Sequence, residues 1–196
     1  MEQITKDKNQ WLYWQALSRK VLLDCGFLRL NEVISKSQCA AGKEDSFFTL
    51  SLPPWVNIVA LTDDNRVLMV EQYRHGVEGL TMELPGGCVE GEDPLAAARR
   101  ELREETGCIA ETWTYLGKNH PNPALQDNLC YTYLARGIEK VEEPTFDGSG
   151  TEKIVSRYID LADVGALIRS GAITHSLVIT AFHFLHLEHP ELTIKS

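Results

Sequence analysis

The chain of 196 residues lacks any apolar run near the roughly 20 residues that a bilayer-spanning helix needs, which excludes a helical membrane span. It also lacks a C-x-x-C pair. Its five cysteines, Cys25, Cys39, Cys88, Cys108 and Cys130, are scattered and odd in number, which excludes a disulfide framework and a zinc knuckle and predicts reduced thiols. Basic residues are scarce: 19 Lys and Arg stand against 28 Asp and Glu. The resulting charge of −9 repels a phosphate backbone at long range, so duplex nucleic acid is excluded as a partner. Residues 1–10 are polar, with no apolar stretch or small-residue cleavage site behind a basic start. No secretory signal is read there, and the expected compartment is the cytoplasm. Internal repeats and low-complexity tracts are absent too. Carboxylate is what the chain has in excess, and it is the donor by which hard divalent cations are held while they bridge to substrate phosphates.

The length suffices for one domain with a sizeable core and a small appended lobe. Trp11, Tyr13, Trp14 and Leu17 have helical spacing, so a short helix is expected over 9–17, followed by strand-like runs from Lys20 to Val33 that break at Gly26. Residues 47–52 read as another strand, and Pro53-Pro54 is a stiff stop. Residues 1–54 are therefore expected to form a helix and β-rich lobe, and 55–196 the main domain. Strands are expected over 56–61 and 67–72, joined by the turn residues Thr62-Asp63-Asp64-Asn65, and again over 131–135 and 154–159. The clearest helix runs from Pro94 to Glu105, and two more are expected over 162–170 and 176–187, the last carrying Phe182 and Phe184 as packing residues. Strands around one central helix, with helices at the end, predict an α/β sandwich.

The segment with chemical content is Pro85-Gly86-Gly87, then Glu90-Gly91-Glu92-Asp93-Pro94, then a helix ending at Gly107. Glycines permit a tight loop, Pro94 suits a first helical turn, and Gly107 suits the left-handed position past a helix end. On that helix Glu101, Glu104 and Glu105 stand at i, i+3 and i+4, on one side and expected to face solvent. Like charges so placed cost about 0.2–0.5 kcal/mol per pair unless a cation sits between them. Clustered carboxylates hold metal ions that polarise phosphoryl oxygens and lower the pKa of a bound water, so no covalent nucleophile is required.

The spacing Gly86, five residues, Glu92, seven residues, Arg100-Glu101-Leu102, one residue, Glu104-Glu105, one residue, Gly107 resembles the signature of the Nudix hydrolase family. Residues 86–108 are identified as a Nudix box. The resemblance implies a Nudix-type α/β/α sandwich of the α/β (α+β) class with a mixed sheet, and hydrolysis of a nucleoside diphosphate linked to another moiety, by water attack on phosphorus. It implies Mg²⁺, or Mn²⁺, as cofactor. By position, Glu101 and Glu105 are the implied metal ligands and Glu104 a ligand or water-orienting base. Arg100 orients the carboxylates, and Gly86 or Gly87 lends a backbone carbonyl. Glu92 is read as a structural charge at the helix start.

Beyond the box, Val70-Glu71-Gln72-Tyr73-Arg74 and Glu83-Leu84-Pro85-Gly86 resemble the ADP-ribose and nucleotide-sugar pyrophosphatase branch. That likeness implies that Arg74 and Glu83 belong to the substrate site, with Arg74 on its phosphates, and that Pro123 lies in a substrate-binding turn. It assigns Glu152 as a further metal ligand and catalytic residue. The general base stays open among Glu104, Asp147, Glu152 and solvent, and Asp147-Gly148-Ser149-Gly150 has the composition of a lid. Trp55, next to the proline stop, offers a flat ring for a nucleobase. His120 is read as a solvated loop residue. The expected reaction is ADP-ribose to AMP and ribose 5-phosphate; a GDP-mannose-type or other nucleotide-sugar pyrophosphatase and a non-catalytic nucleotide-sugar sensor are the alternatives. A homodimer is expected, because the N-terminal lobe is too small to bury its own apolar surface.

Overall fold

Strand β4 (Trp55–Leu61) is buried from Val56 to Leu61 because both of its faces are covered, which is why it reads as a continuous apolar run rather than as an alternation. In the computed structural model, which describes residues 9–39, 41–146, 153–192 and 194, its side chains alternate between two cores. Val59 and Leu61 join Val178, Ala181, Phe182 and Leu185 of helix α3 (Ser176–Glu188), with Val164 of α2 (Val164–Arg169). Val56, Ile58 and Ala60 join Ala97, Ala98 and Leu102 of helix α1 (Pro94–Thr106).

Internal contacts divide the chain into two units: residues up to Pro53 together with Asn122–Asn128, and Pro54–Pro121 together with Leu129 onward. The larger unit holds a six-stranded sheet built from β4, β5 (Arg66–Arg74), β6 (Gly79–Glu83), β7 (Cys108–Asn119), β8 (Cys130–Lys140) and β9 (Ile154–Asp160). The order is β6-β5-β4-β8-β7, and β9 pairs with β5. Only β4 and β8 run parallel, from Trp55 opposite Cys130 to Leu61 opposite Arg136. With α1 on one face and α2 and α3 on the other, this is the α/β/α sandwich with a mixed sheet that the sequence predicts. Among the described residues no helix is long and apolar enough to cross a membrane.

The smaller unit is a three-stranded antiparallel sheet of β1 (Trp14–Asp24), β2 (Arg29–Ser37) and β3 (Glu44–Ser51). Gly26, at φ 76°, turns β1 into β2, and its amide donates to Asp24 Oδ1 at 2.9 Å. Ser51 Oγ receives Asn31 Nδ2 and donates to Asp127, which ties the excursion 122–128 to this sheet.

Three expectations need correction. The helix expected over 9–17 is one turn of 3₁₀ helix, Gln10–Leu12, followed by β1. Its strand period is hidden by two register shifts, at Ala16/Ser18 and Val21/Leu23, where an extra residue interrupts the alternation and mimics helical spacing. Strands β6 and β7 were not expected; β7 carries Gly117 at a further register shift, which breaks its pattern. The helix expected over 162–170 is shortened to α2, preceded by a 3₁₀ turn at Leu161–Asp163. Phe182 is a core residue as expected, with Phe184 packed at the edge of the same core.

Two glycines separate backbone strain from steric closure. Gly91 and Gly107 both have positive φ, 86° and 71°, yet a Cβ on Gly91 would meet nothing within 4 Å whereas one on Gly107 would lie 2.0 Å from the Glu142 carbonyl oxygen. Gly91→Ala is expected to cost the left-handed penalty alone, about 1–2 kcal/mol. Gly107→Ala should cost about 1–3 kcal/mol more, because backbone must move. Urea midpoints of the two variants check the order, and equal losses would refute it.

Candidate active site

Helix α1 is fixed at both ends by its own sequence. Asp93 caps it, accepting the Leu95 amide at 2.9 Å, Pro94 opens the first turn, and Gly107 closes the last with its amide on the Arg103 carbonyl. The three glutamates therefore occupy set positions on one helix, but not one environment. The Glu105 carboxylate is buried, not solvent-facing as expected, while the Glu101 side chain is 13% and the Glu104 side chain 37% exposed.

The chain between β6 and α1 lies along the free edge of β4. Val56 and Ile58 donate their amides to the Gly87 and Pro85 carbonyls, both at 2.9 Å, and Val89 donates to Pro54. Alternation turns the intervening Gly86 carbonyl away from β4, and it accepts no hydrogen bond among the described residues. The Gly86 amide donates to Glu105 Oε2 at 2.9 Å. A Cβ on Gly86 would fall 2.0 Å from the Val56 oxygen, and one on Gly87 would fall 2.2 Å from Glu101 Oε1. Close approach to the sheet backbone thus requires glycine at Gly86, whereas a side chain at Gly87 would displace the Glu101 carboxylate.

Arg100 organises the cluster. Its Nη1 donates to Glu101 Oε1 at 2.8 Å and Glu104 Oε2 at 3.0 Å, and its Nη2 to Glu92 Oε1 at 2.8 Å and the Cys88 carbonyl at 2.9 Å. Desolvation disfavours the guanidinium charge, but the hydrogen bonds to Glu92, Glu104 and Glu101 and the charge of Glu101 outweigh it and raise the Arg100 pKa. Three carboxylates, Glu92, Glu101 and Glu104, share one guanidinium, and Glu105 follows on the same helix. The surplus of hard oxygen donors fits a divalent cation, although among the described residues no three His, Cys, Asp or Glu side chains already form a coordinating group.

A second cluster rests on the β5–β6 pairing, where Gln72 lies opposite Thr81 and Arg74 opposite Gly79. Arg74 reaches along this face to grip Glu83 with both nitrogens, Nε to Oε1 at 2.7 Å and Nη2 to Oε2 at 2.8 Å. Thr81 Oγ1 also donates to Glu83, and the Arg74 guanidinium lies 5.8 Å from the centre of the Trp55 ring. Burial pushes the Glu83 carboxyl up, but the bonds from Arg74 and Thr81 prevail and hold it below the usual carboxylate range. His175, which sequence reasoning missed, stands 4.0 Å from Glu83; burial lowers its pKa, and its Nδ1 is buried with no partner. No sequence signal could have found it, because it comes from the turn before α3.

The structure thus brings Arg100, Glu101, Glu104, Glu105 and Gly86 into one cluster, and Arg74, Glu83 and Trp55 into another within the same unit. Pro123 belongs to the smaller unit. Glu152 and the segment 147–150 lie outside the described residues.

The NUDIX domain model matches residues 52–182. The chain is 32% identical over 142 residues to the methanol dehydrogenase activator of Bacillus methanolicus, covering 69% of this chain and 74% of that protein. It is 34% identical over 133 residues to the ADP-ribose pyrophosphatase of Mycobacterium tuberculosis, covering 67% of this chain and 64% of that one. A crystal structure described as an ADP compounds hydrolase superposes with a TM-score of 0.78 over 92% of this chain and 96% of its own, at 19% identity, which bears on the fold alone. A model match over most of the chain, together with the Gly86 to Gly107 spacing folded into a loop and helix that gather carboxylates around Arg100, makes this protein a member of the NUDIX domain family.

Proposed function

We propose that this hydrolase cleaves the diphosphate bond of a nucleoside diphosphate sugar, ADP-ribose first, to give AMP and ribose 5-phosphate. The observation that carries the reading is the row of Glu101, Glu104 and Glu105 on α1, the first two bonded by Arg100 and the third by the Gly86 amide, in the same unit as the Arg74–Glu83 pair. The pyrophosphatase named among its relatives supports ADP-ribose over other sugars.

Members of this family generally use divalent metal ions, and Mg²⁺, with Mn²⁺ as its substitute, is the ion proposed here. Glu101 and Glu105 would hold it, with Glu104 and the Gly86 carbonyl as further donors; when bound it supplies Lewis-acid polarisation of phosphoryl oxygens and an acidified water. The chain's own residues do the rest. Water attacks phosphorus, the anhydride P–O bond breaks, and Glu104, the most exposed of the three glutamates, takes the proton. Arg100 bonds Glu101 and Glu104 through one nitrogen and fixes their direction. Ionised Glu83 holds the Arg74 fork in one orientation toward substrate phosphate, and Trp55 lies against that fork as a flat wall for the base. Five unpaired thiols support a reducing, cytoplasmic setting.

A homodimer is part of this proposal. Strand β1 is exposed along all eleven residues, and Trp14, Leu17, Val21, Leu22 and Leu23 on it, with Phe48 on β3, leave large apolar side chains in water. A second copy of the chain is the occupant proposed for this sheet. Light scattering should give a particle of twice 22.0 kDa, and one of 22.0 kDa at micromolar concentration would refute the dimer.

Glu105→Gln keeps an acceptor for the Gly86 amide but removes the charge. It should fold normally by circular dichroism and lose more than about 100-fold in kcat on ADP-ribose at saturating Mg²⁺, the several kcal/mol expected of a lost Lewis acid. A chelator should abolish wild-type turnover, and Mg²⁺ restore it. Turnover of the variant within a few-fold of wild type would remove Glu105 from the ligand set.

A further inference from the structure

Between α1, the start of β7 and the chain at 142–145 lies a cavity of about 550 Å³, within the range of small-molecule sites. Arg99, Arg103, Trp113, Ile109 and Ala110 line it, and Arg100, Glu104 and Glu142 complete its wall, so it adjoins the carboxylate row. The Arg99 guanidinium is 6.0 Å from the centre of the Trp113 ring. The charges around it are unequally spent. Arg103 holds both oxygens of Glu142, and Arg100 is committed to Glu92, Glu101 and Glu104. Arg99 is exposed and makes no ion pair among the described residues, so one cation of the cavity is left without an anion.

We propose that this cavity, beside the carboxylate row, is a second ligand site for a nucleoside monophosphate. An arginine fork matches the geometry of a phosphate, and the cation–π contact with Trp113 favours one placement of that fork before the ligand arrives. The exposed side chain of Ile109, with the neighbouring edge of Trp113 that Arg99 leaves open, supplies the apolar surface against which a flat base packs. Phosphate and ring are then read by different parts of one cavity. None of Arg99, Trp113, Ile109 or Ala110 belongs to the cluster that Arg100 gathers, so the site can be removed without touching that cluster.

The test is calorimetric titration of AMP into the full-length protein in chelator at low salt, against Arg99→Ala, a surface change expected to leave folding intact. Binding should weaken at least about tenfold in the variant. Adenosine should bind wild type more weakly than AMP does, and hydrolysis of ADP-ribose by the variant should match wild type. Superimposable AMP isotherms for the two proteins would overturn the site. So would adenosine binding as tight as AMP, which would mean a ring platform without phosphate recognition. Loss of binding with an equal loss of hydrolysis would place AMP in the carboxylate row and overturn it as well. A wild-type protein that does not hydrolyse ADP-ribose counts against the proposed substrate alone, since the isotherms need no turnover.

Discussion

The site depends on one guanidinium. Glu101, Glu104 and Glu105 crowd a single helix turn, where each like-charged pair costs about 0.2–0.5 kcal/mol, and Glu92 adds a fourth carboxylate from the loop before it. Arg100 turns this repulsion into structure by bonding three of the four and the Cys88 carbonyl at once. A planar fork with five donors can do this and an ammonium cannot, because only the fork meets acceptors on several sides in fixed directions. The cost of partly burying the charge is repaid by those acceptors, and loop and helix are joined through the same group.

The loop itself continues the hydrogen bonding of the sheet along β4. By running along β4 with backbone hydrogen bonds from Val56 and Ile58, it gives the carboxylates a rigid backing on a strand locked between two cores. Close approach to the Val56 backbone forbids a side chain at Gly86, whose amide serves Glu105 and whose carbonyl is turned away from β4. Stability and chemistry thus share one contact: the burial that holds β4 also places the Glu105 carboxylate.

On β5 and β6 a different balance holds. Glu83 is as deeply buried as many apolar residues yet stays ionised, since Arg74 and Thr81 supply hydrogen bonds that water would otherwise make. The neighbouring His175 is pushed toward its neutral form, so the local charge at neutral pH comes from the Arg74–Glu83 pair. The arginine is held in direction while its guanidinium remains beside the Trp55 ring, an arrangement suited to receiving an anion without reorganisation.

The amino-acid sequence by itself determined helix α1 and its register, because capping by Asp93 and Pro94, closure at Gly107 and the spacing of Arg100 and three glutamates are local properties of the chain. It determined the buried strands β4 and β5 through their apolar runs, and the acidic character of the site. It misassigned the start of the smaller unit, because bulges in β1 imitate a helical period. Only the tertiary structure decided that Glu105 is buried, that His175 stands beside Glu83, that the segment 122–128 is tied to β3 through Ser51 and Asp127, and that Arg99 meets Trp113 from another element. Each of these joins residues far apart in the chain, and such contacts follow from how sheet and helices pack, which no local pattern of polarity encodes.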